Sequence, residues 1–495
     1  MAGLLRTKSI DQLIASSEAS GKRLERTMGP WTLTALGIGA VIGSGIFILT
    51  GTAAAGQMLS YSSILNAPVL DLLREGTGAV STIGRPGAGP GISLSFILVA
   101  IACSFAALCY AELASMIPIA GGAYTYAYAA LGEIFAWIIG WDLILEYAVS
   151  NMAVAVGFSA HVNDVLERFG FALPKYLSEP MILGGTNTGH INLSAFLILI
   201  LLTWMLVRGV KESANANNAM VVIKIAVIVV FLAVGAKHVD PTNWNPFFPN
   251  GLPGVLTGAA IVFFTYIGFD SVSTAAEECR KPQRDLPIGI IATLFICTLL
   301  YAGVALVLTG VANWKTLDNP APVVKVLKDL GYSNIRWLVA IGALTGMVSS
   351  LLVFQYGQTR IWFAMSRDRL LPDSFSKLHP RFKTPHIATW VAGLAVALPA
   401  MVWDIGTFAD LSNIGTLFAF VVVSVAVIVL RRSQPDRRRG FRVPWVPALP
   451  LVSVFSCVVL MLSLPLQTWL LFFVWLALGL AIYFFYSRAR VSARV

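Results

Sequence analysis

Long apolar stretches recur along the whole chain, separated by polar or Gly/Pro-containing segments that are mostly short. A run of about 20 apolar residues crosses a hydrocarbon core of ~30 Å, and reading for such runs gives twelve predicted spans. They cover residues 31–55, 93–118, 124–157, 190–208, 214–236, 252–275, 286–312, 334–366, 385–403, 408–430, 445–464 and 467–486, called spans 1 to 12. Three are longer than a membrane needs, which predicts tilting or extension into the loops. The roughly ten-residue alternation of membrane β-strands is missing, so a barrel is excluded. The pattern predicts an all-α polytopic membrane protein.

One connection is unusually long. Residues 56–92, which include Asp71, Arg74, Glu75 and the run Gly84-Arg85-Pro86-Gly87, join spans 1 and 2, and a link of this length in a compact bundle is functional or mobile. Within it, Ile64–Leu73 has helical apolar spacing. An ordinary loop is the expectation there, with a helix lying on the membrane surface as the alternative. Residues 1–30 are polar, with Lys8, Asp11, Glu18, Lys22, Arg23, Glu25 and Arg26. They lack the apolar core of a cleavable signal peptide, so span 1 is expected to act as the insertion signal.

Composition narrows the class. A length of 495 residues would suit roughly three soluble domains, but only 12% of residues are charged and 57% are hydrophobic. Typical soluble domains carry about 25% charge, and the mean hydropathy here is +0.76. A soluble enzyme, a nucleic-acid binder and a disulfide scaffold are excluded. The net charge of +10 sits in short basic blocks between apolar runs, the usual topology signal of a membrane protein. With the N-terminus inside, most of the 35 Lys and Arg fall on inside segments, including Arg431-Arg432 with Arg437 to Arg439, and Arg360 to Lys383. Both termini are therefore expected in the cytoplasm. The five cysteines show no CxxC spacing and the five histidines no HExxH cluster, so neither a metal nor a disulfide framework is expected.

Candidate chemistry lies where polar or helix-breaking residues interrupt the spans. Span 1 carries Gly37-Ile38-Gly39-Ala40-Val41-Ile42-Gly43-Ser44-Gly45-Ile46-Phe47. Each Gly costs about 1 kcal/mol relative to Ala in a helix, so local unwinding at Gly-Ser-Gly is expected. Close helix packing through small residues is the alternative. An unwound turn would free backbone N–H groups to hold a carboxylate at the start of a second half-helix. Span 6 offers Phe263-Phe264-Thr265-Tyr266-Ile267-Gly268-Phe269-Asp270-Ser271, where a break would turn carbonyls toward an ammonium. Spans 1 and 6 each open a group of five, the placement expected of an inverted-repeat transporter. Lys224 sits mid-span in span 5, too deep to snorkel easily. It reads as a proton carrier or as a structural lysine on the carbonyls of a broken helix. Asp142 and Glu146 share one face of span 3. Glu146 reads as substrate recognition or as a protonated helix-holding carboxyl, Asp142 as structural. Asp270 reads as a gate or helix pin, or as the cap of a half-helix.

Several stretches together resemble bacterial members of the cationic amino acid transporter family, in the amino acid–polyamine–organocation superfamily. They are Gly37–Gly51, Cys109-Tyr110-Ala111-Glu112, Gly140–Tyr147, Tyr266–Glu278 with Pro282–Asp285, Tyr356–Arg360, and Asn413–Leu417. The resemblance covers nearly the whole chain outside residues 56–92. It implies a five-plus-five inverted repeat, with helices 1 and 6 broken and two further C-terminal helices. The units would be a cytoplasmic segment 1–30, spans 1–5 over 31–236, spans 6–10 over 252–431, spans 11–12 over 445–486, and a tail 487–495. By the same resemblance Gly43, Ser44 and Gly45 bind the substrate α-carboxylate. Val41, with Ile42 at the break, and Phe264, Thr265 and Ile267 bind the α-amino group. Lys224 takes the place of a sodium ion, Glu146 matches the helix-3 glutamate, and Phe264 is the gate aromatic. Phe354 stands where carriers of long cationic substrates tend to have a smaller residue.

The expected function is proton-coupled uptake of L-amino acids by alternating access across a bacterial cytoplasmic membrane. An exchanger is the alternative, with a transporter-like sensor behind it. A channel is disfavoured because the polar residues form no rings. The partners implied are a small amino acid and the lipid bilayer, with no nucleic acid and no cofactor beyond the coupling proton. The sequence does not specify oligomeric state or an accessory subunit.

Overall fold

The computed structural model describes residues 6–18, 24–57, 68–75, 85–168, 170–171, 173–183, 186–318, 321–403, 406–488 and 490. Within these, every predicted span is helical. Eight helices are long and apolar enough to cross a membrane: Gly89–Met116, Glu133–Glu167, Glu212–His238, Gly251–Thr274, Pro282–Val311, Trp337–Arg367, Asp410–Ser433 and Leu466–Ser487. Four shorter apolar helices, Pro30–Val41, Leu193–Arg208, His386–Val402 and Ala448–Leu462, fill the remaining predicted spans. Large apolar side chains such as Phe295, Phe455, Val474 and Phe485 point outward, as lipid-facing surfaces require.

Spans 1 and 6 are broken. Span 1 runs as Pro30–Val41 and then Ser44–Ala55, with Ile42 and Gly43 between them. Pro30 sits at the helix start, where its missing N–H costs nothing. Span 6 runs as Gly251–Val262, a tight turn at Phe263–Tyr266, then the short helix Ser271–Thr274. Gly268 has φ +117°, a conformation that L side chains rarely adopt. A Cβ there would also stand 2.5 Å from the Cβ of Ala40. The two breaks therefore touch, and only a glycine lets them.

Two expectations need correction. Span 3 is not one run over 124–157, because Ala123–Ala130 is a separate helix ahead of Glu133–Arg168. Gly132, at φ +101°, terminates the first piece and donates its N–H to the Ala127 carbonyl at 3.1 Å, an ordinary glycine-based helix stop. Averaged hydropathy passes over it, since apolar residues lie on both sides of Gly132-Glu133. The insertion is also more ordered than a plain loop. Gly56–Gln57 pairs antiparallel with Arg85–Pro86 at its base, and Val69–Glu75 is helical. The Val69 N–H donates to the Leu464 carbonyl at 3.1 Å, which lays this segment over the link between spans 11 and 12. Residues 58–67 and 76–84 of the insertion lie outside the described residues.

Both chain ends meet one loop. Lys8 pairs with Asp368, while Ser487 donates to the Leu370 carbonyl and Arg490 to Asp373. The segments next to the termini thus share a face, where an even number of crossings would place them. All five cysteines are free and buried.

The contact of the two breaks yields a direct test. Gly268→Ala should destabilise the fold by at least roughly 1–2 kcal/mol, the cost of a left-handed backbone carrying a Cβ, with the clash at Ala40 added. Thermal unfolding in detergent measures this, and an unchanged midpoint would show that the breaks do not need their present closeness.

Candidate functional site

The first half of span 1 ends inside the protein, so its last carbonyls need donors from elsewhere. Lys224 supplies them. Its ammonium donates to the Gly39 carbonyl at 3.0 Å, the Ile42 carbonyl at 2.9 Å and Ser349 Oγ at 3.2 Å. Ser349 in turn donates to Asn217 Oδ1 at 2.7 Å, and Asn217 Nδ2 to the Ala35 carbonyl at 2.9 Å. Ser350, the next residue on span 8, reaches the Gly39 and Ala40 carbonyls at 2.7 and 2.9 Å. Spans 5 and 8 therefore jointly hold the end of this half-helix. Lys224 is fully buried, and no carboxylate lies within ion-pair distance of it among the described residues. A cation at a helix C-terminus is electrostatically favoured, and here it is the cation's main support. Both sequence readings of Lys224 thus converge on one geometry.

Gly43 is glycine because of close approach. A Cβ there would lie 2.6 Å from Ser350 Oγ. Gly45 lies equally close to Thr265 of span 6. Ser44 is the first residue of the second half-helix, whose N-terminal amides are a ready anion site. The Ser44 side chain lies outside the described residues. On the carbonyl side, Tyr301 of span 7 donates its hydroxyl to both Val41 and Thr265, at 2.7 and 3.0 Å. The Val41 carbonyl also takes the Gly43 N–H at 3.0 Å, and the Phe264 carbonyl takes the Ile267 N–H at 3.3 Å. Tyr301 therefore ties the two breaks together. Sequence reasoning missed it, because one hydroxyl in an apolar span carries no charge and breaks no helix.

The third cluster lies on span 3. Tyr147 donates to Asp270 at 2.8 Å and meets Phe354 edge-on, ring centroids 5.9 Å apart. Asp270 stands at the start of the Ser271–Thr274 helix without a side-chain cap bond and binds the Tyr147 hydroxyl instead. Phe354 is buried, while Phe264 is half-buried. Glu146 and Asp142 are buried, and among the described residues no donor meets any of their carboxyl oxygens, Thr416 standing beside Glu146.

The face carrying both termini is closed by ion pairs that the sequence analysis did not single out. Glu278 pairs with Arg360 at 2.8 Å, both side chains almost fully buried. Glu277 takes two bonds from Arg367, at 2.7 and 3.1 Å, and the Ala120 N–H. Asp368 takes Lys8 and the Tyr124 hydroxyl. The Thr27 and Met28 N–H groups both donate to the Glu278 carbonyl, which stitches the start of span 1 to the end of span 6. Farther out, Asp11 pairs with Arg437. The hydrogen bond and charge of that guanidinium hold the exposed Asp11 carboxyl below its usual range, a contact that contributes little to stability.

A family model described as amino acid permease matches residues 28–485. The branched-chain amino acid permease BcaP of Bacillus subtilis (strain 168) is 47% identical over 489 residues, 98% of each chain. The methylthioribose transporter of the same organism is 44% identical over 489 residues, 99% of this chain and 98% of the relative. Cationic amino acid transporter 9, chloroplastic, of Arabidopsis thaliana is 34% identical over 467 residues, 92% of this chain and 76% of the relative.

The sealed face can be probed through a native thiol. Cys279 follows Glu278, is buried, and burial pushes its thiol up to about 11. Arg360→Ala leaves a buried carboxylate unpaired, a loss of about 3–5 kcal/mol, and should open this face. Exposure would return the thiol toward its ordinary range and raise labelling by a membrane-impermeant maleimide about tenfold or more. No increase over a Cys279→Ser control would show that the pair does not keep the face shut.

Proposed function

The chain belongs to the amino acid permease family, and from that premise we propose that it imports L-amino acids across a bacterial cytoplasmic membrane as a proton-coupled symporter. Its layout is read as twelve spans in a five-plus-five inverted repeat with two further C-terminal helices. The face shared by the segments next to the termini and the paired breaks in spans 1 and 6 support this. The face carrying the termini is read as cytoplasmic, in keeping with its basic blocks. The arrangement of ion pairs then corresponds to a carrier closed toward the cytoplasm.

The observation that carries the reading is the Lys224 ammonium on the Gly39 and Ile42 carbonyls. While charged, it holds the first half of span 1 in place. Loss of the proton removes the charge and one donor, which weakens that hold and frees the half-helix to swing. Substrate would bridge the same break. Its carboxylate would sit on the amides that begin at Ser44, with Gly43 and Gly45 giving room, and its ammonium would face Val41, Ile42, Phe264, Thr265 and Ile267. Phe264 would close over it as a gate, and Asp270 would pin that gate through Tyr147.

At the side-chain end, Glu146 argues for cationic substrates and Phe354 against long ones. A packed ring is hard to displace, whereas a carboxyl can be protonated, so small neutral amino acids are the proposed substrates. A relative named for branched-chain amino acids supports a neutral substrate. The relative named for methylthioribose makes that compound an essential competitor in any substrate panel. Exchange rather than symport is the second reading, and uptake that requires amino acid on the far side would favour it.

Lys224→Ala should abolish accumulation driven by an imposed pH gradient in proteoliposomes, with substrate binding weakened less. Substantial gradient-driven uptake by this variant would sink the coupling role. Phe354→Ser should gain arginine or lysine transport that depends on Glu146. Radiolabelled competition measures the ranking, and a wild type that already prefers arginine over alanine would contradict the volume argument.

A further inference from the structure

Asp142 and Glu146 lie one helical turn apart on span 3, 0% and 1% exposed, and their four carboxyl oxygens have no donor among the described residues. Asp270 is within electrostatic reach of Glu146 and leaves one oxygen unpartnered, while the other takes the Tyr147 hydroxyl. Two further buried hydroxyls stand here: Tyr110 of span 2, without a partner among the described residues, and Tyr126 of the short helix Ala123–Ala130, which lies beside Ser273. Tyr110 is within reach of all three carboxyls, and Tyr126 of Asp270.

No basic side chain serves this cluster. Lys224 is committed to span 1, Arg360 to Glu278 and Arg367 to Glu277. The groups that spans 8 and 10 bring are neutral. Gln358 bonds the Ile144 carbonyl, Gly415 packs against Asp142, and Thr416 stands beside Glu146. Thr416 has already given its hydrogen to the Ser412 carbonyl at 3.0 Å, so toward Glu146 it offers only an acceptor. The described residues contain no acidic group spaced to grip a metal ion. An isolated buried carboxylate is costly, and neighbouring carboxylates add repulsion. A proton on the carboxyl removes both costs and creates the donor that Thr416 lacks.

We propose that Asp142, Glu146 and Asp270 form a second proton-holding site, separate from Lys224, which passes protons along span 3 toward the face that carries the termini. Asp142 lies on the side of Glu146 nearer that face, because span 3 begins there at Glu133, tied to Tyr483 and the Arg6 carbonyl. The proton-holding itself does not depend on the transport reading. Only its use as a relay does.

Infrared absorption of the protein in lipid vesicles at neutral pH, in H2O and D2O, tests the site without any variant. A protonated-carboxyl C=O band that shifts on deuteration is expected, and Asp142→Asn and Glu146→Gln should each remove part of it. A spectrum without such a band, or one that both variants leave unchanged, overturns the site. For the relay, Asp142→Asn should slow gradient-driven uptake about tenfold, or ~1.4 kcal/mol, with the substrate-induced thermal shift retained. Unimpaired uptake by Asp142→Asn overturns the relay. Failure of the Lys224 role would leave the infrared band in place, so the two readings can fail separately.

Discussion

Everything in this structure turns on one cation placed against an interrupted helix. A span that stops midway leaves its last carbonyls without helical partners, and Lys224 answers two of them, giving its third N–H to Ser349 Oγ. Each side needs the other. The ammonium has no carboxylate partner within reach among the described residues, and the Gly39 and Ile42 carbonyls have no regular helical turn beyond them. In the proposed mechanism, removing the charge would act on the break itself and so give a proton a mechanical effect. Ser349, Ser350, Asn217 and Tyr301 build the same joint from neutral groups, which would keep it as a frame if its one charged member changed state.

The geometry separates tasks along the membrane normal. Near the middle, the breaks of spans 1 and 6 touch through Gly268 and Ala40 and are tied by Tyr301. Toward the termini, buried ion pairs join the ends of spans 6 and 8, with Lys8 of the N-terminal segment meeting Asp368; in the proposed carrier they would close the cytoplasmic side. Buried ion pairs contribute little net stability, because desolvation offsets their attraction. They suit a seal that must both close firmly and open.

Part of this was legible in the sequence, for reasons that particular residues make clear. Four glycines within nine residues of span 1 and a lone lysine in span 5 are anomalies in an apolar run, so the break and its cation stood out. Glu146 stood out as a carboxylate inside an apolar span, whereas Phe354 emerged only through family resemblance. Tyr301 and Ser350 did not emerge at all, because a single hydroxyl in a span usually bonds its own helix, as Thr309 does here. The split of span 3 was missed because one glycine and one carboxylate, Gly132-Glu133, do not end a long apolar run on averaged hydropathy. The seal was hidden because its partners are far apart in the chain, as Lys8 and Asp368 show, and each alone reads as a topology signal at a span end.

The central claim is that the charge on Lys224 holds the first half of span 1 against spans 5 and 8. Spin labels at Trp31, which is exposed at the start of that half-helix, and at exposed Lys377 beyond span 8 report on it directly. Pulsed electron–electron distance measurements across a pH series should show a growing long-distance population as pH rises in the wild type. In Lys224→Met the distribution should not depend on pH. A wild-type distribution that ignores pH, or a Lys224→Met distribution that follows it in the same way, would contradict the account.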